Sequence, residues 1–199
     1  HNDRVVGGLS ELCSVKAGNF YKIFVEGDIY QTKAEIAELC KLTENAYRDV
    51  NIAFANELSM ICSNYEIDVF ELINLTNKHP RVNVLNPGAG VGGHCIAVDP
   101  WFIISQNTNN SKLMKAAREV NSYKPKYVVS IVEQMIREEN LIPAETNIAC
   151  MGITYKENTE DIRESPALEI VNSLVEQGYN QLYIVEPNLL SCPENLNLE

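Results

Sequence analysis

The sequence lacks any run of ~18 or more apolar residues, the length a helix needs to cross a bilayer, and it shows no signal-peptide pattern. The expectation is a soluble, cytoplasmic protein with no membrane partner. Basic residues are few: 16 Lys and Arg stand against 27 Asp and Glu, a formal net charge of −11. A general nucleic-acid binder exchanges a basic surface for counterions, so that class of partner is excluded. A small anionic ligand needs only a few local cations and is not. There is no C-x-x-C among the six cysteines at 13, 40, 62, 95, 150 and 192. Most sit in apolar helical or strand patterns, such as Cys40 in "AELCKL" and Cys150 in "NIACMG", which favours reduced, buried thiols over a disulfide framework. Cys95 stands apart because glycines surround it. There are only three histidines, at 1, 79 and 94. A zinc site from His94, Cys95 and Asp99 would have an awkward adjacent His-Cys and no further partner pattern, so no metal is expected. Internal repeats and low-complexity tracts are also missing.

What is present is a hydrophobic content of 45% in 199 residues, enough for one large or two small globular domains. The chain opens "HNDRVVGG" with no Met and ends "SCPENLNLE" just after a strand-like "YIVEP". It reads as a piece of something longer.

"RVVGG" is a short β-like run, followed by a helical pattern over about 9–25 with Leu12, Val15, Phe20 and Phe24 among its apolar positions. "GDIYQT" is extended. Thr32 and Glu35 form a T-x-x-E capping box that opens a helical stretch of about 30 residues, free of Gly and Pro. Its apolar positions include Ile36, Leu39, Cys40, Tyr47, Val50, Phe54, Leu58 and Ile61. A helix of that length joins domains or pairs subunits. Asp68 and Glu71 cap a shorter helix, "VFELINLT". Helices are expected over 111–121 and from Pro125 to Glu139. "TNIACMGIT" is a buried-type strand; Ser165 with Pro166 starts a helix that ends at Gly178, and "QLYIVEP" is a second strand. That βαβ unit begins a parallel sheet.

"NPGAGVGGHCIAVDPW" (86–101) contains a literal G-x-G-x-x-G at Gly88, Gly90 and Gly93. A dinucleotide fingerprint needs a strand before the glycines, a helix N-terminus after them, and an acidic residue ~20 positions on. "VNVLNPG" is a poor strand, "HCIAVDPW" has no helical period, and the later region is "NTNNSKL". The dinucleotide reading fails on context. Two readings remain at this level: a tight loop with a buried cysteine, or a loop whose glycines expose a reactive thiol.

Four separated stretches, "KLTENAYRDVNIAFANE", "KHPRVN", "PGAGVGGHCIAVDPWF" and "MGITYKENTEDIRESPALEI", together resemble the UDP-glucose/GDP-mannose dehydrogenase family, and the loop resembles its N-acetylhexosamine branch more than its glucose branch. The resemblance implies an α/β fold: the end of an NAD-binding domain (1–30), a long central helical dimerisation and catalytic region (31–125), and the start of a Rossmann-like UDP-binding domain (126–199). It implies NAD as cofactor, a UDP-sugar as substrate, and a homodimer through the long helix. The implied chemistry is oxidation of the sugar C6 alcohol to a carboxylate. Cys95 is then the nucleophile, Lys41 and Asn45 stabilise the oxyanion from one helix face, and Asp99 orients or activates the hydrolytic water. Arg81, Gly90, Gly92, Tyr155 and Lys156 are the implied substrate-binding residues, and Arg163 the implied contact to the NAD phosphates. Because the NAD fingerprint is absent, the 199-residue chain is expected to be inactive alone. The rival reading is a non-catalytic nucleotide-sugar-binding or dimerisation module in which Cys95 is structural.

Overall fold

The structure, a computed structural model, describes residues 2–189 and residue 196, so Cys192 lies outside the described residues. The chain forms two compact units, His1–Tyr47 and Arg48–Glu199. The class is α/β, with helices dominating two separate two-stranded parallel sheets.

In the first unit, β1 (Arg4–Gly8), α1 (Glu11–Tyr21) and β2 (Ile29–Lys33) make a βαβ unit, with the strands parallel from Arg4↔Ile29 to Gly8↔Lys33. The strand pairing was not legible in the sequence. The helix expected over about 9–25 is present as α1, but its apolar positions Leu12, Val15, Phe20 and Phe24 are exposed, and it packs through the small residues Ser14 and Gly18. Ser14 Oγ donates to the Thr32 carbonyl at 2.7 Å, and a Cβ on Gly18 would lie 2.9 Å from Gln31 Cδ, so only small side chains let this helix approach the ladder. One expectation fails: Thr32 is not a cap. It pairs with Gly7 in the ladder, and the long helix α2 (Ala34–Ser63, 30 residues) starts after β2.

Along α2 the buried positions are Asn45, Ala46, Asp49, Ala53, Ala55, Asn56 and Cys62, whereas Ile36, Leu39, Tyr47, Phe54 and Ile61 are exposed. The apolar periodicity therefore marks the face that this chain leaves open, and the packed face is small and polar.

In the second unit, Asp68 caps α3 (Val69–Thr76) by accepting from the Phe70 N–H at 2.8 Å. A helix that the sequence reading did not anticipate, α4 (Asp99–Gln106), follows the glycine loop, with Pro100 in its first turn, where a missing N–H costs no helical bond. The two helices expected around residues 111–139 are one, α5 (Lys112–Glu138), running through Pro125. Pro125 has no N–H for the Asn121 carbonyl, yet it lies on the buried face, where packing holds the rod together.

β3 (Ile148–Met151), α6 (Pro166–Glu176) and β4 (Leu182–Val185) form the expected second βαβ unit, parallel from Ile148↔Leu182 to Met151↔Val185. Ser165 is the N-cap, accepting from the Leu168 N–H at 3.3 Å and donating to the Ile153 carbonyl at 2.7 Å. Gly178 takes φ 86° beyond the helix end. Two apolar clusters hold this unit: Val129 and Ile136 of α5 against Leu174 and Tyr179, and Ile153 and Val171 against Leu196. Each such side chain contributes about 1.5–3 kcal/mol on burial.

Candidate functional site

The glycine loop is clamped by its neighbours. A Cβ on Gly92 would strike the Glu164 carbonyl and approach Pro166 Cδ to 2.7 Å. Gly93, at φ 82°, has the Tyr155 ring where its Cβ would be, at 2.8 Å, and its N–H donates to the Arg163 carbonyl at 3.1 Å. Gly90 takes φ 145° against Pro166, the Asn121 carbonyl and Pro125. These glycines therefore fit because loop 155–166 and α5 fill the space beside them. The partner loop is itself constrained. The Tyr155 N–H donates to the Asp161 carbonyl at 3.1 Å, and Glu164 holds φ 51°, a left-handed conformation that costs a non-glycine residue about 1–2 kcal/mol.

Two residues past the clamp, Cys95 is an exposed free thiol. Its carbonyl accepts from the N–H groups of Val98 at 3.1 Å and Asp99 at 2.8 Å, a turn that leads into α4. Asp99 is the first residue of that helix, half-buried, one turn from Cys95. Of the two readings of the loop, the buried cysteine is thus excluded.

Beside the thiol is a charged cluster. Arg163 grips Asp161 through Nε (2.9 and 3.1 Å) and Nη2 (2.6 Å), and Nη2 also lies 3.1 Å from His94 Nδ1. These hydrogen bonds hold the Asp161 carboxyl at about 2, well below its ordinary range, and push the Arg163 guanidinium up. Asp161, two residues away, is thus the partner that Arg163 takes.

Tyr155 and Lys156 diverge. Tyr155 packs on the glycines, while Lys156 lines a cleft of about 610 Å³ at the carboxyl ends of β3 and β4, together with Gly152, Thr154, Glu186 and Asn188. Its Nζ stays 5.4 Å from the Tyr155 ring centroid. Open α/β sheets place ligands at such strand ends. Glu186 closes the cleft's floor: Oε2 accepts from the Ile153 and Thr154 N–H groups (3.0 and 3.3 Å) and from Thr154 Oγ1 (3.2 Å), and Oε1 from the Asn188 backbone N–H and Nδ2 (both 3.0 Å). These bonds, the Asn188 backbone bond foremost, hold its carboxyl at about 2.

Lys41 and Asn45 belong to the first unit and do not share one environment: Lys41 is exposed, 3.5 Å from Glu44, and Asn45 is buried. A four-residue step turns a helix 40° past a full turn, enough to separate them. Arg81 is exposed in the turn after α3, its N–H donating to His79 Nδ1 at 3.3 Å.

Sequence reasoning missed three features: Glu186, read only as part of the strand "QLYIVEP"; His94, weighed only as a metal ligand; and a buried polar layer between α2 and α5. In that layer Arg118 Nη1 donates to Asp49 Oδ1 at 2.7 Å, and Asn121 Nδ2 to the same oxygen at 2.8 Å. Asn56 Nδ2 donates to Asn121 Oδ1 at 2.9 Å, and Lys124 Nζ to Ser59 Oγ at 2.6 Å. Burial pushes the Asp49 carboxyl up, against the pull of Arg118, and pushes the Lys124 ammonium down. The available signal was polar residues flanked by alanine at helical spacing, as in "AFAN" and "KAAREVN".

Residues 35–123 match the central domain of the UDP-glucose/GDP-mannose dehydrogenase family, and residues 149–196 match its UDP-binding domain. The chain belongs to this family. It is 50% identical to the UDP-N-acetyl-D-mannosamine dehydrogenase of Escherichia coli K12, over 98% of this chain and 47% of that protein. It is 52% identical to the NDP-N-acetyl-D-galactosaminuronic acid dehydrogenase of Ralstonia solanacearum, over 98% of this chain and 45% of that one. A solved UDP-D-ManNAc dehydrogenase from Pyrococcus horikoshii superimposes with a TM-score of 0.89 at 38% identity, covering 94% of this chain and 45% of that one. The chain spans about half the length of the curated relatives it matches. Both loops of the clamp lie in or next to the matched segments: the glycine loop in the central domain, loop 155–166 in the UDP-binding domain.

Proposed function

We propose that the protein carrying this chain is an NAD-dependent dehydrogenase that oxidises the C6 alcohol of UDP-N-acetyl-D-mannosamine to the carboxylate. The observation that carries the proposal is the clamp, which joins an exposed Cys95 to the Tyr155–Lys156 loop of the UDP-binding domain. Lys156 and the cleft at the ends of β3 and β4 suit an anionic nucleotide moiety, and Tyr155 shapes the floor under the thiol loop. Gly90 and Gly92 serve the substrate by letting that loop lie close to its neighbours, and Arg81 offers a guanidinium for sugar or carboxylate oxygens.

NAD⁺, when bound, supplies the hydride acceptor for both oxidations. Of the residues here, Arg163 suits its phosphates, as an exposed guanidinium at the rim of the thiol loop. The G-x-G-x-x-G pattern does not fit it, since Tyr155, Pro166 and the Glu164 carbonyl occupy the space beside its glycines and their neighbour Gly92.

The chain's own chemistry centres on the second oxidation. The Cys95 thiolate adds to the C6 aldehyde, and a proton goes to the resulting oxygen, giving a thiohemiacetal. Loss of hydride and that proton leaves a thioester. Water, oriented by Asp99, then adds to the thioester carbon and expels the thiolate; one of water's two protons goes to that sulfur and the other to solvent as the carboxylate forms. Lys41 and Asn45 are assigned to the developing oxyanion on their match to the family's K-L-x-x-N motif.

The test is Cys95→Ser in the full-length enzyme. A serine hydroxyl stays protonated and adds poorly, and its alkoxide leaves badly, so acid formation should fall at least about a hundredfold while UDP-sugar binding stays. Near-normal acid formation would overturn the covalent route. A panel of UDP-N-acetylmannosamine, UDP-N-acetylglucosamine and UDP-glucose decides the sugar.

A further inference from the structure

We propose that Asn56, from the middle of α2, is a positioning residue for the Cys95 loop, acting through the backbone of Gly88. This inference rests on the reading of Cys95 as the working thiol. Asn56 Oδ1 accepts the Gly88 N–H at 2.8 Å across 32 residues of sequence, and Asn56 is completely buried.

The orientation of each amide in the chain of contacts is dictated. The Gly88 N–H can only donate, so Asn56 must turn its oxygen to it and its nitrogen to Asn121. Asn121 must then present its oxygen to Asn56 and its nitrogen to Asp49 Oδ1, an acceptor that also takes Arg118 Nη1 at 2.7 Å. A donor fixed in the loop and an ion pair fixed between helices thus lock two amide flips between them. Asn121 meets the loop a second time, because its main-chain carbonyl, which has no helical donor above Pro125, lies against Gly90. The glycine loop is therefore held at Gly88 and Gly90 by α2 and α5, and at Gly92 and Gly93 by loop 155–166. Cys95 lies two residues beyond the last of those four points.

A fully buried polar layer is a poor route to stability, because apolar side chains of the same volume fill a helix interface at least as well. What it supplies is a unique register, and here the register ends on the loop that carries the thiol. The charged groups of the layer are Asp49 on α2 and Arg118 and Lys124 on α5, and the loop contributes only backbone.

Asn56→Asp separates positioning from simple packing. An ionised carboxylate still accepts from Gly88 but sets an acceptor against Asn121 Oδ1. Its protonated form accepts from Gly88 and donates to Asn121, restoring both bonds. Burial near Asp49 raises the carboxyl above the ordinary ~4. The readouts are the rate of Cys95 alkylation by iodoacetamide, followed at that residue by peptide mass spectrometry, and steady-state kinetics of the full-length enzyme. At about pH 8 the variant should alkylate several-fold faster than the parent, with kcat down at least about tenfold and KM for the UDP-sugar little changed, as expected for a misplaced nucleophile. The variant-to-parent ratio of alkylation rates should return toward one as pH falls toward about 5.5.

Gly88→Pro deletes the loop's N–H and leaves the side-chain network whole, so it carries the test if Asn56→Asp does not fold. Gly88→Ala keeps the N–H, and its methyl meets only the Gly90 carbonyl, at 3.8 Å, so it should behave as the parent. Parent-like alkylation and kcat in both Asn56→Asp and Gly88→Pro, or a pH-independent ratio in Asn56→Asp, would overturn the proposal. Because alkylation reports loop position without turnover, that result is distinct from a catalytically competent Cys95→Ser, which would overturn the covalent reading instead.

Discussion

Gly92 and Gly93 act through what they lack: their missing side chains make room for the Tyr155 ring, Pro166 and the Glu164 carbonyl. That glycines surround a cysteine was plain in the sequence, but whether the thiol is buried or exposed was decided only by the structure. What filled the space beside them was not, because the partners lie some sixty or more residues downstream and no local pattern announces them. The same holds for Glu186, which joins the end of β4 to the loop after β3 through three hydrogen bonds and accepts two more from Asn188. Its folded pKa, about 2, lies below its ordinary 4.5. A depressed carboxyl contributes stability that is complete above the unfolded value and is lost as pH falls through the folded one. Urea unfolding of the parent and of Glu186→Gln, which mimics the protonated acid, should therefore differ at neutral pH. The gap should shrink steadily from about pH 4.5 toward about pH 2. A gap independent of pH would mean that the carboxylate's charge is not what the loop uses.

At the scale of elements, the legible features were those with local causes. Asp68, the Ser165–Pro166 pair and Gly178 mark helix ends by chemistry within a turn of themselves, and the structure uses each as expected. Ser165→Ala removes the cap to Leu168 and the bond to the Ile153 carbonyl, so thermal unfolding should show a loss of about 1–2 kcal/mol. An unchanged melting temperature would refute the capping role. The illegible features had distant causes. Pro125 argued locally for a helix boundary, but α5 packs on α6 through Val129 and Ile136, and tertiary burial outweighs one lost hydrogen bond. On α2 the apolar period was real and pointed outward, because the inward face is set by alanine, asparagine and aspartate.

For the whole molecule, that outward face is the basis of an assembly proposal. Tyr47, Phe54 and Ile61, spaced seven residues apart on α2, are exposed, and a helix 30 residues long offers a continuous seam for a second copy. The full-length protein should sediment as a dimer at micromolar concentration, and Phe54→Asp should shift it toward monomer. A monomeric parent would refute the pairing.

One property of α5 reaches beyond its shape. It is a single rod in geometry but two segments in cooperativity. Ahead of Pro125, Arg118, Asn121 and Lys124 tie it to α2 through directional bonds; beyond Pro125, Val129 and Ile136 tie it to α6 through apolar contact alone. No hydrogen bond runs from residue 125 back to residue 121, so fraying that begins at Glu138 meets a natural stop there. Hydrogen exchange should accordingly open residues 126–138 at a lower free energy than residues 112–124.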